Sequence, residues 1–339
     1  MMQKPSSKGP GSRSQVLLAQ DLRKTYGHRE ALRGLSFSLE AGRILGFLGP
    51  NGAGKTTAIR ILTTIMAPDA GAFIVDGISS EHPEDIRRRI GVLPESLGFH
   101  KHMTGIECLT FYGQLYGRSA KQARDNGMTL LEEVGLDQRS RSLVGTYSRG
   151  MRQRLGIART LVNDPAVVFF DEPTLGLDPQ GQQELLELVR RVARERHVGV
   201  ILCSHALAEV EVVCDDVVIL HVGQVVASGP VTDVIGRTQR DVMQRNGMRL
   251  QVAAPSVAAA QHVLAALPHV LHVTPTGELA GWLRVELVDL EGTTAEQPHI
   301  NNQILEALIR ADIPILTFEA EGGRLQEVFL HLTEETSIR

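Results

Sequence analysis

The stretch Gly49-Pro50-Asn51-Gly52-Ala53-Gly54-Lys55-Thr56-Thr57 follows an apolar run, Ile44-Leu45-Gly46-Phe47-Leu48, and precedes a helical pattern. A buried strand that ends in a glycine-rich turn lets successive backbone N–H groups close around an anion. The helix behind it adds the positive end of its dipole. In such a loop Lys55 reaches the outer phosphates of a nucleotide, and the hydroxyl of Thr56 binds Mg²⁺. The spacing therefore predicts an α/β domain with a phosphate-binding loop over Gly49–Thr57.

A second segment supplies what the loop lacks. Val167-Val168-Phe169-Phe170-Asp171-Glu172 is an apolar strand that delivers two carboxylates at its C-terminal end, the edge at which open α/β sheets bind ligands. One carboxylate suffices for Mg²⁺, and Asp171 is placed for it. Glu172 is then available to orient and deprotonate the attacking water, the remaining need of γ-phosphate hydrolysis. A third segment, Tyr147-Ser148-Arg149-Gly150-Met151, opens a helix with Met151, Leu155, Ile157 and Leu161 as candidate inward residues. Ser148 is a natural N-cap. Its helix end could receive an anion, but a plain capped helix reads the same way.

Around these anchors, residues 16–237 alternate short apolar runs with helical patterns. Strands are expected at Val16–Leu18, Leu35–Leu39, Ile44–Leu48, Phe73–Val75, Val167–Phe170, Val198–Cys203, Val217–Leu220 and Val225–Ala227. The unbroken runs at Val167 and Val198 suit parallel strands covered on both faces. Strand signals are sparse between Glu84 and Ala158, which predicts a helical insertion, about 94–150. After a polar linker, 238–247, the order changes to β-α-β-β-α-β across 248–334, a ferredoxin-like α+β arrangement. Its last helix is expected at Arg324–Leu332.

Composition narrows the function classes. Hydrophobic residues make up 42% and charged residues 22%, as in a globular protein, and the net charge of −4 gives no sign of a nucleic-acid surface. No apolar stretch approaches the roughly 18 residues a membrane-spanning helix needs. Residues 1–15 lack the apolar core of a signal peptide and read as a disordered leader. Cys108, Cys203 and Cys214 have no metal-ligand spacing and fit a reducing cytoplasm as small buried hydrophobes.

Taken together, the ordered segments resemble the ATPase family of ABC transporters. Gly49–Thr57 looks like its Walker A loop, Val167–Glu172 its Walker B strand, and Tyr147–Met151 its signature loop. Leu175-Gly176-Leu177-Asp178 is similar to its D-loop, and His205 to its switch histidine. The likeness is greatest to ATPases of bacterial exporters with separate membrane subunits, including drug-efflux and gliding-type systems, whose ending Leu325–Thr333 also resembles.

The resemblance implies an ATP-hydrolysing motor subunit that dimerises head to tail around two ATP with Mg²⁺. Ser148 and Gly150 would meet the γ-phosphate held by the other copy, and Asp178 would act across the same interface. Tyr26 would stack on adenine, and His205 would hold Glu172 and the water in line. Glu95 stands where the family usually has glutamine and would hold the metal or sense the membrane subunit. Tyr147, Arg149 and Met151 also depart from the usual signature residues.

An integral membrane permease is implied as partner, with the chain at the cytoplasmic face of the membrane. Phe99, Met103, Phe111, Tyr112 and Leu115 are candidates for its docking groove, or else for the insertion's own core. The C-terminal part is expected to regulate or to support the dimer. A soluble ABC ATPase that remodels a non-membrane complex is the other reading the motifs allow.

Overall fold

Asp21, Arg23 and Lys24 in the second half of β1 (Gln15–Tyr26), and Arg29, Glu30 and Arg33 in the first half of β2 (Arg29–Glu40), hide the length of these first two strands. They pair antiparallel along their whole length, and the register shifts after Ala19, near the left-handed Asp21. The Asp21 amide donates to Ser36 Oγ at 2.8 Å across this irregularity. With β4 (Ala70–Val75) and β5 (Ile78–Ser79) they form an antiparallel sheet of order β2-β1-β4-β5.

A second sheet carries the apolar runs. Its order is β10-β9-β3-β8-β7-β6, built from β3 (Ile44–Leu48), β6 (Ile90–Leu93), β7 (Val167–Asp171), β8 (Gly199–Cys203), β9 (Asp216–His221) and β10 (Gln224–Pro230). All but the β9–β10 hairpin pair in parallel. Every residue of β3 and β8 is buried, as expected of parallel strands covered on both faces. The structure describes residues 15–204, 206–236, 247–275, 281–287, 297–320, 325 and 328–329 of this computed structural model.

The helices are α1 (Lys55–Leu62), α2 (Pro83–Arg87), α3 (Gly105–Leu115), α4 (Ala120–Glu133), α5 (Arg149–Thr160), α6 (Pro179–Arg196) and α7 (Leu207–Val213). Capping boxes start α3 (Thr104 with Glu107) and α4 (Ser119 with Gln122), so each satisfies its first-turn donors locally. Between Glu84 and Ala158 the chain carries most of α2, then β6, which the sequence does not reveal, and then α3, α4 and most of α5. That strand has only four residues. Its Gly91 is demanded by α5, because a Cβ there would lie 2.2 Å from the Thr160 carbonyl oxygen.

The faces of both sheets meet in one core, where the rings of Phe37 and Phe47 lie 5.6 Å apart. Ala58, Ile61 and Leu62 bring α1 into the same cluster, which fixes the helix that follows the glycine-rich loop. At the sheet's other end Arg43 makes a bidentate pair with Asp216, at 2.6 and 2.7 Å.

The chain divides after Val231 into two compact units. In the second, β11 (Gly247–Val252), β12 (Val270–Pro275), β13 (Trp282–Leu287) and β14 (Ile315–Ala320) form an antiparallel sheet of order β12-β13-β11-β14. With helices Val257–Ala265 and Gln297–Arg310 the order along the chain is β-α-β-β-α-β, the ferredoxin-like arrangement. Leu250, Leu283, Val285, Leu264 and Leu308 form its core. Most of the leader, of the linker and of the expected helix at 324–332 lies outside the described residues.

Phe47 is 0% exposed. Phe47→Ala is expected to lower the unfolding free energy of the first unit by about 3–5 kcal/mol, read from a denaturant titration.

Candidate nucleotide-binding site

Parallel pairing sends the C-terminal ends of β3, β7 and β8 to one edge of the sheet. Gly46 is in register with Leu202, and Asp171 with Cys203. The loop after β3 and the acids that end β7 therefore converge without any long side chain having to reach. A cleft of about 510 Å³ lies there, lined by residues 50–57 apart from Ala53, and by Tyr26, Glu95, Asp171 and Glu172. Among the residues singled out in the sequence, these are the ones the fold gathers into one place.

The loop's shape rests on close backbone approach. Gly54 has φ 110°, and a Cβ on it would stand 2.6 Å from the Ala31 carbonyl oxygen. The buried Ala53 carbonyl accepts from the Gly223 amide at 2.9 Å, which ties the loop to the turn between β9 and β10. No side chain caps α1. Its first-turn N–H groups are therefore available to an anion at the positive end of the helix.

Lys55 Nζ donates to the Gly49 carbonyl and, at 3.2 Å, to that of Pro50. Burial pulls its ammonium below the ordinary lysine pKa, while Cys203, Glu172 and Asp171 oppose that shift. Burial pushes the Cys203 thiol far up, and Asp171 adds to it, so this cysteine is a neutral wall of the site.

Glu172 sits in the left-handed region with φ 48°, a conformation that costs a non-glycine residue energy and that its surroundings must hold. Its amide donates to the Cys203 carbonyl at 2.9 Å, so the strained residue is pinned to the end of β8. Both Asp171 and Glu172 are half-buried. Thr56, Asp171 and Glu95 present hard oxygen donors in the one cleft, a set whose chemistry suits Mg²⁺.

Ser148, Gly150 and Asp178 do not line this cleft. Ser148 caps α5 by accepting from the Met151 amide at 3.2 Å, and Asp178 caps α6 by accepting from Gly181 at 2.9 Å. The two helix starts are adjacent: Leu177 Cδ2 lies 3.8 Å from where a Gly150 Cβ would be. Arg149, whose direction the sequence leaves open, lays its guanidinium over Gly176, whose φ is 71° and where a Cβ would fall 2.6 Å from Cζ. The signature-like and D-loop-like segments of one chain thus pack against each other.

Tyr26 is 44% exposed and its hydroxyl donates to Met66 Sδ at 3.1 Å. His205 lies outside the described residues. Arg29, not singled out in the sequence, also lines the cleft and donates to the Gly52 carbonyl at 3.2 Å. Nothing local marks it, because its approach to the loop follows from how β2 lies beside it. In the helical segment Phe111 and Leu115 are 43% and 65% exposed. Arg159 stacks on Phe99 and Tyr112, 4.7 and 5.4 Å from their ring centres, and donates to the Leu97 carbonyl.

The sequence profile described as ABC transporter matches residues 32–175. Along nearly its whole length, the chain is similar to the linearmycin resistance ATP-binding protein LnrL of Bacillus subtilis (strain 168). The two are 31% identical over 323 residues, covering 95% of this chain and 99% of the relative. The chain belongs to the ABC transporter family. It is an ATP-binding, ATP-hydrolysing subunit of that family.

The daunorubicin/doxorubicin resistance ATP-binding protein DrrA of Streptomyces peucetius is 33% identical, with 91% of this chain and 90% of that one covered. A solved ATP-binding subunit of an ABC transporter superposes on 66% of this chain and 93% of its own, at 32% identity and a TM-score of 0.59.

Gly54→Ala, which drives a Cβ into the Ala31 carbonyl, is expected to weaken ATP binding by about tenfold or more in calorimetry. An unchanged affinity would contradict the role given to this loop.

Proposed function

We propose that this ABC ATPase drives export through a separate integral membrane permease, closing as a homodimer around two ATP and reopening after hydrolysis. The observation that carries this reading is the meeting of the Lys55 loop with Asp171 and Glu172 in one cleft at the sheet edge. In the proposed site the loop amides and the α1 N-terminus bind the phosphates, and Lys55 neutralises the outer ones. Tyr26 faces the adenine. Thr56, Asp171 and Glu95 would hold Mg²⁺, which would neutralise charge on the β- and γ-phosphates. Glu172 takes the proton of the attacking water, with His205 assigned to the γ-phosphate side.

The Ser148 helix start and Gly150 would complete the site from the second copy, with Asp178 beside them. The packing of Arg149 over Gly176 supports this reading, since the two segments would then meet the partner side by side. ATP thereby stabilises the closed dimer, and loss of the γ-phosphate removes the bridge, a population shift set by differential affinity. The exposed Phe111 and Leu115 are candidates for the permease-facing surface. Among the described residues no helix is long and apolar enough to cross a membrane.

Both drug-resistance relatives match across about nine-tenths of the chain or more, which favours export over remodelling of a non-membrane complex. We place the subunit at the cytoplasmic face of the membrane and assign the second unit a regulatory or dimer-supporting role.

Glu172→Gln is expected to retain ATP and self-associate while turnover falls by about a hundredfold or more, the scale of losing a general base. Phosphate release near the unsubstituted rate would remove Glu172 from that role.

A further inference from the structure

Behind the cleft, two loops meet on a side chain to which no role has been given. The Thr174 hydroxyl donates to Glu209 Oε2 at 2.8 Å, and the Ser204 hydroxyl donates to the same oxygen at 3.2 Å. Ser204 Oγ in turn accepts from the Ala206 amide at 3.0 Å. Thr174 and Ser204 are each 3% exposed, so both hydroxyls depend on this partner. Thr174 stands two residues after Glu172 and follows it directly into the D-loop-like segment. Ser204 follows Cys203, whose carbonyl holds the Glu172 amide, and precedes His205 in the chain.

We propose that Glu209 is a positioning residue for hydrolysis: one carboxylate oxygen on α7 clamps the Glu172 loop to the end of β8. It rests on Glu172 being the base proposed above. The physical need is plain from Glu172 itself. A residue held at φ 48° relaxes unless its flanks are fixed. The hydrogen bond from the Glu172 amide to the Cys203 carbonyl fixes one side, and the Thr174–Glu209–Ser204 bridge fixes the other. Each hydroxyl donates once, and the carboxylate accepts both hydrogen bonds. The bridge is therefore fully satisfied among these groups and stiffens the two loops together. Displacing a reacting group by about 1 Å costs up to a hundredfold in rate. Glu209 does not line the cleft, so it acts on turnover rather than on nucleotide binding.

The test compares Glu209→Ala, Glu209→Gln, Thr174→Val and the double variant Thr174→Val/Glu209→Ala in the full-length chain. It reads kcat and KM for ATP hydrolysis, the calorimetric Kd for ATP, and the thermal midpoint. Glu209→Ala and Thr174→Val are each expected to lower kcat about tenfold, with Kd within about twofold of the parent. The double variant is expected to be no slower than Glu209→Ala, because both remove the same link. Glu209→Gln, whose amide oxygen still accepts both hydroxyls, is expected to recover most of the rate.

Three results would each overturn the proposal. These are an unchanged kcat in Glu209→Ala, multiplicative losses in the double variant, or a fall in ATP affinity that matches the fall in kcat. Glu172→Gln measured alongside separates the two readings. If it keeps turning over, the base assignment fails, whereas the coupling of Thr174 to Glu209 is judged by the double variant alone.

Discussion

Parallel strands buried on both faces must all end along one edge, and here that edge collects a glycine-rich loop, an acid pair and the end of β8. The hydrogen-bond register that sets Asp171 beside Cys203, and Gly46 beside Leu202, is fixed by burial. Sliding β7 by one residue would move its apolar side chains out of the faces they fill. Chemistry at this edge is thus a consequence of packing several residues below it. The same core, through Phe47 and the α1 residues Ala58 and Ile61, sets the direction in which α1 presents its N-terminus.

The loops above that edge carry local cost, and their neighbours hold them there. Gly54 and Glu172 both sit at positive φ, one because it is glycine and the other because its amide is held by Cys203. A site preset in this way binds and reacts with little further ordering, which is the general advantage of preorganised groups. The contact between Arg149 and Gly176 extends the same logic to the starts of α5 and α6. In the proposed dimer the useful motion would then lie between copies.

The legible parts of this protein are those written in short, contiguous code. The loop at Gly49–Thr57 and the acids after Phe170 each declare themselves within ten residues, because strand, turn and helix signals follow one another there. The β-α-β-β-α-β order of the second unit is readable for the same reason, its elements being separated by clear polar breaks. What escaped is set by distant partners. The strand at Ile90–Leu93 is short and keeps a glycine for the sake of Thr160. Arg29 reaches Gly52 only through the path of β2, and Glu209 meets Thr174 across 35 residues of chain. The length of β1 and β2 was hidden because charged residues cluster in the halves nearest their connecting turn, and because the irregularity near Asp21 breaks the alternation of β1.

Calorimetric titration of Mg·ATP into the full-length chain tests most directly whether the sheet edge is a nucleotide site. One ATP per chain, with binding abolished in Lys55→Ala, is the predicted result. Absence of binding in the parent chain, or undiminished affinity in Lys55→Ala, would contradict it.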